Sequence, residues 1–141
     1  MLQVKYLDSV KILSVDYDAL IKSIGKACTR IRKEYDYVKK ILLFGSFLKG
    51  NYTPESDVDI LIVVKHEDTP FMERRDLFSY FFEDIPFDIN ILVYTEGELN
   101  NMLNKGNLFI KSILFEAREL WWYRKKFKFK KYSPIAWYPN N

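Results

Sequence analysis

Two aspartates and a glycine-serine pair are the residues of this chain best suited to chemistry. Asp57 and Asp59 open the segment DVDILIVV, and Gly45 and Ser46 end the preceding apolar segment, ILLFGS. Because side chains alternate between the faces of a strand, the two carboxylates are predicted to point to the same side, with Val58 opposite. Like charges this close repel each other and raise a pKa unless a cation lies between them. Magnesium is usually held by one or two carboxylates together with substrate phosphates, so the pattern predicts a divalent metal beside a phosphate site.

A third carboxylate, Asp88, opens another apolar segment, DINILVY, in which it shares a face with Asn90. If the two strands are neighbours that begin at the same sheet edge, Asp88 lies beside Asp57 and Asp59. Three acidic side chains there suit two magnesium ions, one for the triphosphate and one that lowers the pKa of an attacking hydroxyl. Asp88 is then placed to help deprotonate the acceptor.

The phosphate side of this site is expected around the glycine-serine pair. Gly45 permits close backbone approach, and Ser46 offers a hydroxyl and exposed amides at a helix start, where anions bind well. Lys49 is equally a surface residue or a point charge for the phosphates. Tyr52 is a candidate to stack on a base or, as such residues more often do, to cover loop backbone. His66 has no second histidine nearby and is interpreted as a surface residue.

The elements that must position these residues alternate between helices and strands. Asp16 is a candidate N-cap for a core-facing helix that buries Cys28. Strands are predicted at 39–44, 57–64 and 87–94, with a turn of helix after the first. Residues 1–15 receive no assignment. The pattern therefore predicts an α/β fold with a small central sheet flanked by helices, in which the second and third strands are covered on both faces.

Three further helices and a strand complete this prediction. Thr69 and Pro70 indicate a helix that runs to about residue 84, TEGE from Thr95 matches a capping box, and Asn107 could cap a last helix through about residue 116. A short edge strand is expected at 120–123, followed by an extended, solvated run to residue 131. The first of these helices is predicted to bury four phenylalanines: Phe71, Phe78, Phe81 and Phe82.

Composition limits the classes of protein that fit. The chain has 141 residues, of which 48% are hydrophobic and 17% aromatic, which favours one packed domain over residues 1–141 and argues against disorder. The net charge of +3 is carried by the end of the chain, since the basic, aromatic tail from about residue 120 to 141 includes RKKFKFKKY. One cysteine excludes an internal disulfide framework, and the absence of a signal or membrane-spanning run predicts a soluble cytoplasmic protein.

The segments GSFLKG, SDVDILIVV and FDINILVY resemble the motifs of the nucleotidyltransferase superfamily related to DNA polymerase beta, in particular its minimal nucleotidyltransferases. The resemblance extends from the first helix through GNLFIKSILFEARELWW and implies the polymerase-beta-like fold with a mixed sheet. It implies that Asp57, Asp59 and Asp88 bind metal and that Gly45 and Ser46 hold nucleotide phosphates. Many members have Arg where this chain has Lys49, which keeps the charge but weakens a bidentate phosphate contact.

Members of this branch are often encoded beside a helical HEPN protein and act as antitoxins, some by transferring AMP to that partner. The resemblance therefore implies magnesium-dependent transfer of a nucleoside monophosphate, most simply AMP from ATP, to a hydroxyl on a partner protein. One alternative is a non-catalytic module that neutralises a helical partner by contact. Another is an RNA partner, because the basic and aromatic tail suits single-stranded nucleic acid. A site shared between subunits of a homo-oligomer is also open.

Overall fold

The computed structural model describes the backbone of residues 2–7, 10–123 and 126–131, and the side chains of residues 2–6 and 15–120. Two 3-10 turns, Arg75–Leu77 and Ser79–Phe82, follow the third helix. The helices and strands in chain order are β1 (Leu2–Leu7), β2 (Val10–Val15), α1 (Tyr17–Glu34), β3 (Val38–Phe44), α2 (Ser46–Lys49), β4 (Val58–Val64), α3 (Phe71–Arg74), β5 (Ile89–Thr95), α4 (Glu96–Asn104), α5 (Leu108–Glu116), β6 (Arg118–Tyr123) and β7 (Lys126–Lys131).

Five of the strands form one mixed sheet in the order β5-β4-β3-β6-β7. β4 and β5 run parallel, whereas β3 is antiparallel to both β4 and β6, and β7 is antiparallel to β6. The predicted α/β fold with a small mixed sheet is confirmed. β1 and β2 pair with each other in a separate antiparallel hairpin, which occupies most of the region that received no assignment from the sequence.

Helices cover the sheet on both faces, which explains why β4 is apolar in almost every position. One face packs against α1 in a core that includes Ile24, Ile31, Ile41 and Ile60. The opposite face packs in a second core with side chains from α4 and α5, namely Leu42, Phe44, Leu61, Val63, Leu99, Ile110, Ile113 and Leu114. β4 is therefore buried on both sides, as a strand in the middle of a covered sheet must be. β5 is an edge strand and is only partly covered.

Three of the predicted helix starts are confirmed in atomic detail, whereas Pro70, predicted as the first residue of a helix, is the N-cap of α3. The Asp16 side chain accepts a hydrogen bond from the amide of Ala19 at the start of α1. Thr95 and Glu98 form the reciprocal capping box of α4, and the Asn107 side chain caps α5 through the amide of Ile110. These caps satisfy amides that a helix start leaves without intrahelical partners, so the sequence determines where each helix begins.

The helix predicted to run from Thr69 to about residue 84 is wrong in length. α3 has a single turn, and two 3-10 turns follow it. The buried side chain of Arg74 is the physical reason that we find: its guanidinium donates to the carbonyls of Thr69 and Val93 and to the Glu98 carboxylate, which ties the end of α3 to β5 and α4.

The phenylalanines of this segment are buried with one exception. Phe78, Phe81 and Phe82 are in the core as predicted, and the 3-10 turns direct the first two against the ring of Tyr35. Phe71 is only half-buried and lies against the tilted ring of Tyr94 at the sheet edge, so its predicted burial is wrong.

The end of the described chain also differs from the prediction. β6 begins at Arg118 and is not an edge strand, because β3 pairs with it on one side and β7 on the other. The run that we expected to be merely extended is the paired strand Lys126–Lys131. Side chains beyond Leu120 lie outside the described residues, as does all of 132–141. In the part of the chain that the structure describes, no helix has both the length and the apolar character needed to cross a bilayer.

Candidate functional site

The two strands that begin with acidic residues are neighbours, as the sequence prediction required. In the parallel pair β4 and β5, Val58 is opposite Ile89 and Asp59 is opposite Asn90. The amide of Val58 donates to the carbonyl of Asp88 over 2.8 Å, so the pairing continues to the residue before β5. Both strands therefore start at the same edge of the sheet, and the backbone of Asp88 lies beside that of the Asp57–Asp59 segment.

The Asp59 carboxylate lies among the other acidic groups at this edge. Its Oδ1 accepts a hydrogen bond of 3.1 Å from Nδ2 of Asn90. Its pKa is nevertheless raised, first because the carboxyl is partly buried and then because the charges of Asp57 and Glu116 are close; the Asn90 hydrogen bond only partly opposes these effects. A half-buried carboxylate among other carboxylates is the environment that a cation relieves.

Gly45 lies directly against Asp59. The backbone at Gly45 has φ +82° and ψ −157°, a conformation that is essentially reserved for glycine. A Cβ at this position would overlap the carboxylate of Asp59, with Cγ only 3.0 Å away. Phe44, the preceding residue, pairs with Asp59 across β3 and β4. Glycine is therefore required here both by its backbone conformation and by the close approach of Asp59.

Ser46 begins the short helix α2, whose first amides have no intrahelical partner. The carbonyl of Gly45 accepts from the amides of Leu48 and Lys49, which closes the turn. The predicted turn of helix after β3 is thus confirmed. Gly45, Ser46 and Lys49 all lie at the same sheet edge as Asp59, although the ammonium of Lys49 lies 3.1 Å from the carboxylate of Glu116.

The donor set fits a hard divalent cation that completes its shell with phosphate oxygens and water. Asp57 and Asp59 are separated by one strand residue and interact electrostatically. Magnesium commonly takes only one or two protein carboxylates, so this pair is sufficient. Among the residues with described side chains, no three acidic, histidine or cysteine groups are gathered closely enough to hold a metal together. The assignment of Asp88 as a third ligand, and of two ions, stays a prediction.

The exposed Asp88 also lines a shallow cleft of about 340 Å³. The cleft lies between the loop that precedes β4 and the loop that precedes β5, and its other lining residues are Pro54, Glu55, Ser56, Ile85, Pro86 and Phe87. It adjoins the start of β4 and β5, and its charged residues, Glu55 and Asp88, are both acidic. Such a cleft suits a neutral or cationic group better than a phosphate.

Sequence reasoning missed Glu116, the last residue of α5. β6 pairs with β3 through Leu43 and Arg118, so continuing this register brings Glu116 opposite Gly45. Arg118 fixes this corner by donating to the carbonyls of Glu116 and Ala117 over 2.7 and 2.9 Å. An available signal was the helix end itself, because an acidic residue is electrostatically disfavoured at a helix C-terminus.

Three other residues singled out from the sequence have structural roles in the described chain. Tyr52 stacks on Phe47, with ring centroids 4.9 Å apart, and so covers the core beside the site. His66 is exposed and lies beside the ring of Tyr37, as its surface interpretation predicted. Cys28 is in the core as predicted, and burial raises the pKa of its thiol to about 12.

The fold and the site together define a protein of the nucleotidyltransferase class, with a glycine-serine turn and a pair of aspartates at one edge of a mixed sheet. The sequence profile described as "Nucleotidyltransferase domain" matches residues 24–129, and the chain belongs to this family, in its minimal form. A Methanocaldococcus jannaschii protein provisionally named a protein adenylyltransferase is 36% identical over 101 residues, which cover 71% of this chain and 96% of the relative.

A second M. jannaschii protein with the same provisional name is 33% identical over 89 residues, covering 62% of this chain and 87% of that protein. The crystal structure of a Sulfolobus solfataricus protein, provisionally titled a nucleotidyltransferase, superposes with a TM-score of 0.54. That match has 20% sequence identity and covers 79% of this chain and 88% of the other. At this identity the superposition shows the fold alone.

Proposed function

We propose that this protein transfers AMP from ATP to a hydroxyl group on a partner protein, in a magnesium-dependent reaction that releases pyrophosphate. The observation that carries the proposal is the meeting of Asp59 with Gly45, because it puts a charged carboxylate against the turn where phosphates are expected to bind. The names of the M. jannaschii relatives support protein as the acceptor.

In this proposal each residue at the sheet edge has a distinct role. Asp57 and Asp59 hold magnesium, which when bound neutralises the triphosphate and favours departure of pyrophosphate. The amides at Gly45 and Ser46 orient the phosphates, and Lys49 adds a positive charge. The acceptor oxygen attacks the α-phosphorus, the bond from that phosphorus to the bridging oxygen of the β-phosphate breaks, and Asp88 takes the hydroxyl proton.

The cleft beside Asp88 supports an acceptor that approaches from the acidic side of the edge, opposite Lys49. A volume of about 340 Å³ is enough for a side chain and some flanking backbone but not for a folded acceptor. The remainder of the acceptor must then rest on the surface around the cleft. We propose a helical protein of the HEPN type as this partner, in accordance with the family resemblance.

Label transfer from α-labelled ATP tests this function. The protein is incubated with magnesium and either a cell extract or a co-purified partner, and labelled macromolecules are detected after electrophoresis. Asp57→Asn should abolish labelling, because it removes one of two metal-binding carboxylates but little volume. Asp36→Asn is the matched control, since Asp36 is exposed in the loop before β3, at the far end of that strand from Gly45.

The two variants separate the possible explanations of a negative result. Labelling that persists undiminished in Asp57→Asn would refute the assignment of the metal site. Loss of labelling in Asp36→Asn as well would indicate general damage, which far-ultraviolet circular dichroism would detect. Absence of labelling with the wild-type protein, when ATP and magnesium still bind, would favour the second candidate below.

The second candidate is a module that neutralises its partner by contact, and the surface of α5 specifically favours it. Leu108, Phe109 and Phe115 expose 78%, 59% and 77% of their surface on this short helix, which is unusual for large apolar residues. Under this hypothesis Asp57→Asn would still bind and silence the partner. RNA binding through the basic tail stays a prediction, because the side chains that would carry it lie outside the described residues.

A further inference from the structure

We propose that the negative charge of Glu116 weakens the binding of metal-free nucleoside triphosphate at the phosphate site more than the binding of its magnesium complex. We call this effect the charge gate. The inference rests on the proposed nucleotide site and adds a specificity role for a residue outside its recognised motifs. Glu116 is a positioning residue in this scheme: it acts on the phosphates through its charge and through Lys49, without binding the reacting atoms.

Glu116 lies beside the phosphate turn. Gly45 lies at the end of β3, with β4 on one side and β6 on the other. Asp59 approaches it from β4, and Glu116, two residues before β6, lies 3.1 Å from the ammonium of Lys49 in the helix that follows Gly45. The phosphate turn is therefore flanked by one carboxylate from each neighbouring strand end.

The backbone at Glu116 is held in place by a hydrogen bond. Its backbone carbonyl accepts a hydrogen bond from Arg118, which fixes the end of α5 at this corner. Its side chain is 27% exposed, whereas that of Lys49 is 56% exposed. The carboxylate is thus the less exposed partner of this ion pair, and the lysine has more room to turn towards a ligand.

The negative charge of Glu116 contributes little to the stability of the fold. A carboxylate at the C-terminal end of a helix faces the negative end of the helix dipole. It also repels the nearby Asp59, and its ion pair with a largely exposed lysine contributes little to stability. Glutamine has nearly the same shape and would avoid these costs, so the negative charge itself is the property that needs an explanation.

A charge gate explains it. A free triphosphate carries about four negative charges at neutral pH and its magnesium complex about two, so a fixed carboxylate opposes the free form about twice as strongly. The free nucleotide must also compete with Glu116 for the ammonium of Lys49. Magnesium held by Asp57 and Asp59 would also bind phosphate oxygens, so the phosphates would depend less on the lysine.

Calorimetric titration with ATP, once in excess EDTA and once in excess magnesium, tests the gate. Glu116→Gln should increase the affinity for metal-free ATP by about threefold or more and the affinity for the magnesium complex by less. The ratio of the two affinities, which is the preference for the complex, should therefore fall. Glu116→Asp keeps the charge and should leave the preference near the wild-type value. Lys49→Met removes the cation and keeps the carboxylate, so it should raise the preference.

Glu73→Gln is the matched control, because Glu73 is exposed on α3, which is tied through Arg74 to the opposite end of β5. It changes net charge equally and should not alter the preference. An unchanged preference in Glu116→Gln, or an equal change in Glu73→Gln, would overturn the gate while leaving the proposed function intact. A wild-type protein that binds neither form of ATP would overturn the proposed function and the gate together.

Discussion

Replacement of Gly45 by alanine should disrupt the candidate site through two separable effects. The first is backbone strain, since φ +82° and ψ −157° lie in a region that side chains avoid. The second is steric, since the new methyl group would overlap the Asp59 carboxylate. Gly50 offers an internal comparison: it also has a positive φ, +79°, but its Cβ would meet nothing within 4 Å.

The expected magnitudes follow from this difference. Strain of the Gly45 type costs about 1–3 kcal/mol, and overpacking against a partly fixed neighbour adds about 1–3 kcal/mol. Gly50→Ala carries only the left-handed strain of about 1–2 kcal/mol. The restriction of the unfolded chain by alanine is common to both variants and cancels in the comparison. If the two strain costs are equal, Gly45→Ala should be less stable than Gly50→Ala by the overpacking cost, about 1–3 kcal/mol.

Urea denaturation of five proteins would measure these terms: the wild type, Gly45→Ala, Gly50→Ala, Asp59→Ala and the double variant Gly45→Ala/Asp59→Ala, for which Asp59→Ala is the reference. Asp59→Ala removes the carboxylate, so the cost of Gly45→Ala in that background should fall to the strain and the remaining 3.3 Å contact with the Cβ of residue 59. Equal destabilisation by Gly45→Ala and Gly50→Ala, or an undiminished cost in the Asp59→Ala background, would refute the close contact as the reason for glycine.

Two further predictions concern the Arg74–Glu98 pair at the opposite end of β5. Arg74→Met should reduce the free energy of unfolding by about 2–4 kcal/mol, because two backbone carbonyls and a carboxylate lose their donor, whereas the exposed neighbour Arg75→Met should change it by about 0.5 kcal/mol or less. Partial burial alone would raise the Glu98 pKa, but hydrogen bonds from Arg74 and Thr95 bring it below its ordinary value. The difference in free energy of unfolding between the wild type and Glu98→Gln should therefore be largest at neutral pH and decrease as the pH falls below about 4.5. A difference that does not depend on pH would contradict this prediction.

Much of the scaffold could be predicted because the signals are local. The cap residues Asp16, Thr95 and Asn107 act on amides within the next few residues, so their effect is visible in the sequence. The apolar segments of β4 and β5 indicated buried, neighbouring strands, and the shared start of these strands followed from their common pattern. That shared start is what brings the aspartates together.

The rest depends on contacts between residues distant in sequence. Arg74 breaks the predicted helix by bonding to Val93 and Glu98, which no local pattern contains. β6 is internal because β7 pairs with it, and alternating lysine and phenylalanine is compatible with either a strand or a solvated tail. Glu116 reaches the site only through the register of β6 on β3.

The position of the candidate site can also be argued without its motifs, from where the chain departs from locally favourable choices. Gly45 adopts a conformation reserved for glycine, Asp59 has a raised pKa, and Glu116 ends a helix with the wrong charge. All three lie at one edge of the sheet. At the other end of β5, Arg74 and Glu98 are polar residues with good partners, so that end has no comparable conflict. Such conflicts persist where a function requires them, and their concentration around Gly45 supports the same phosphate and metal site that the sequence motifs indicate.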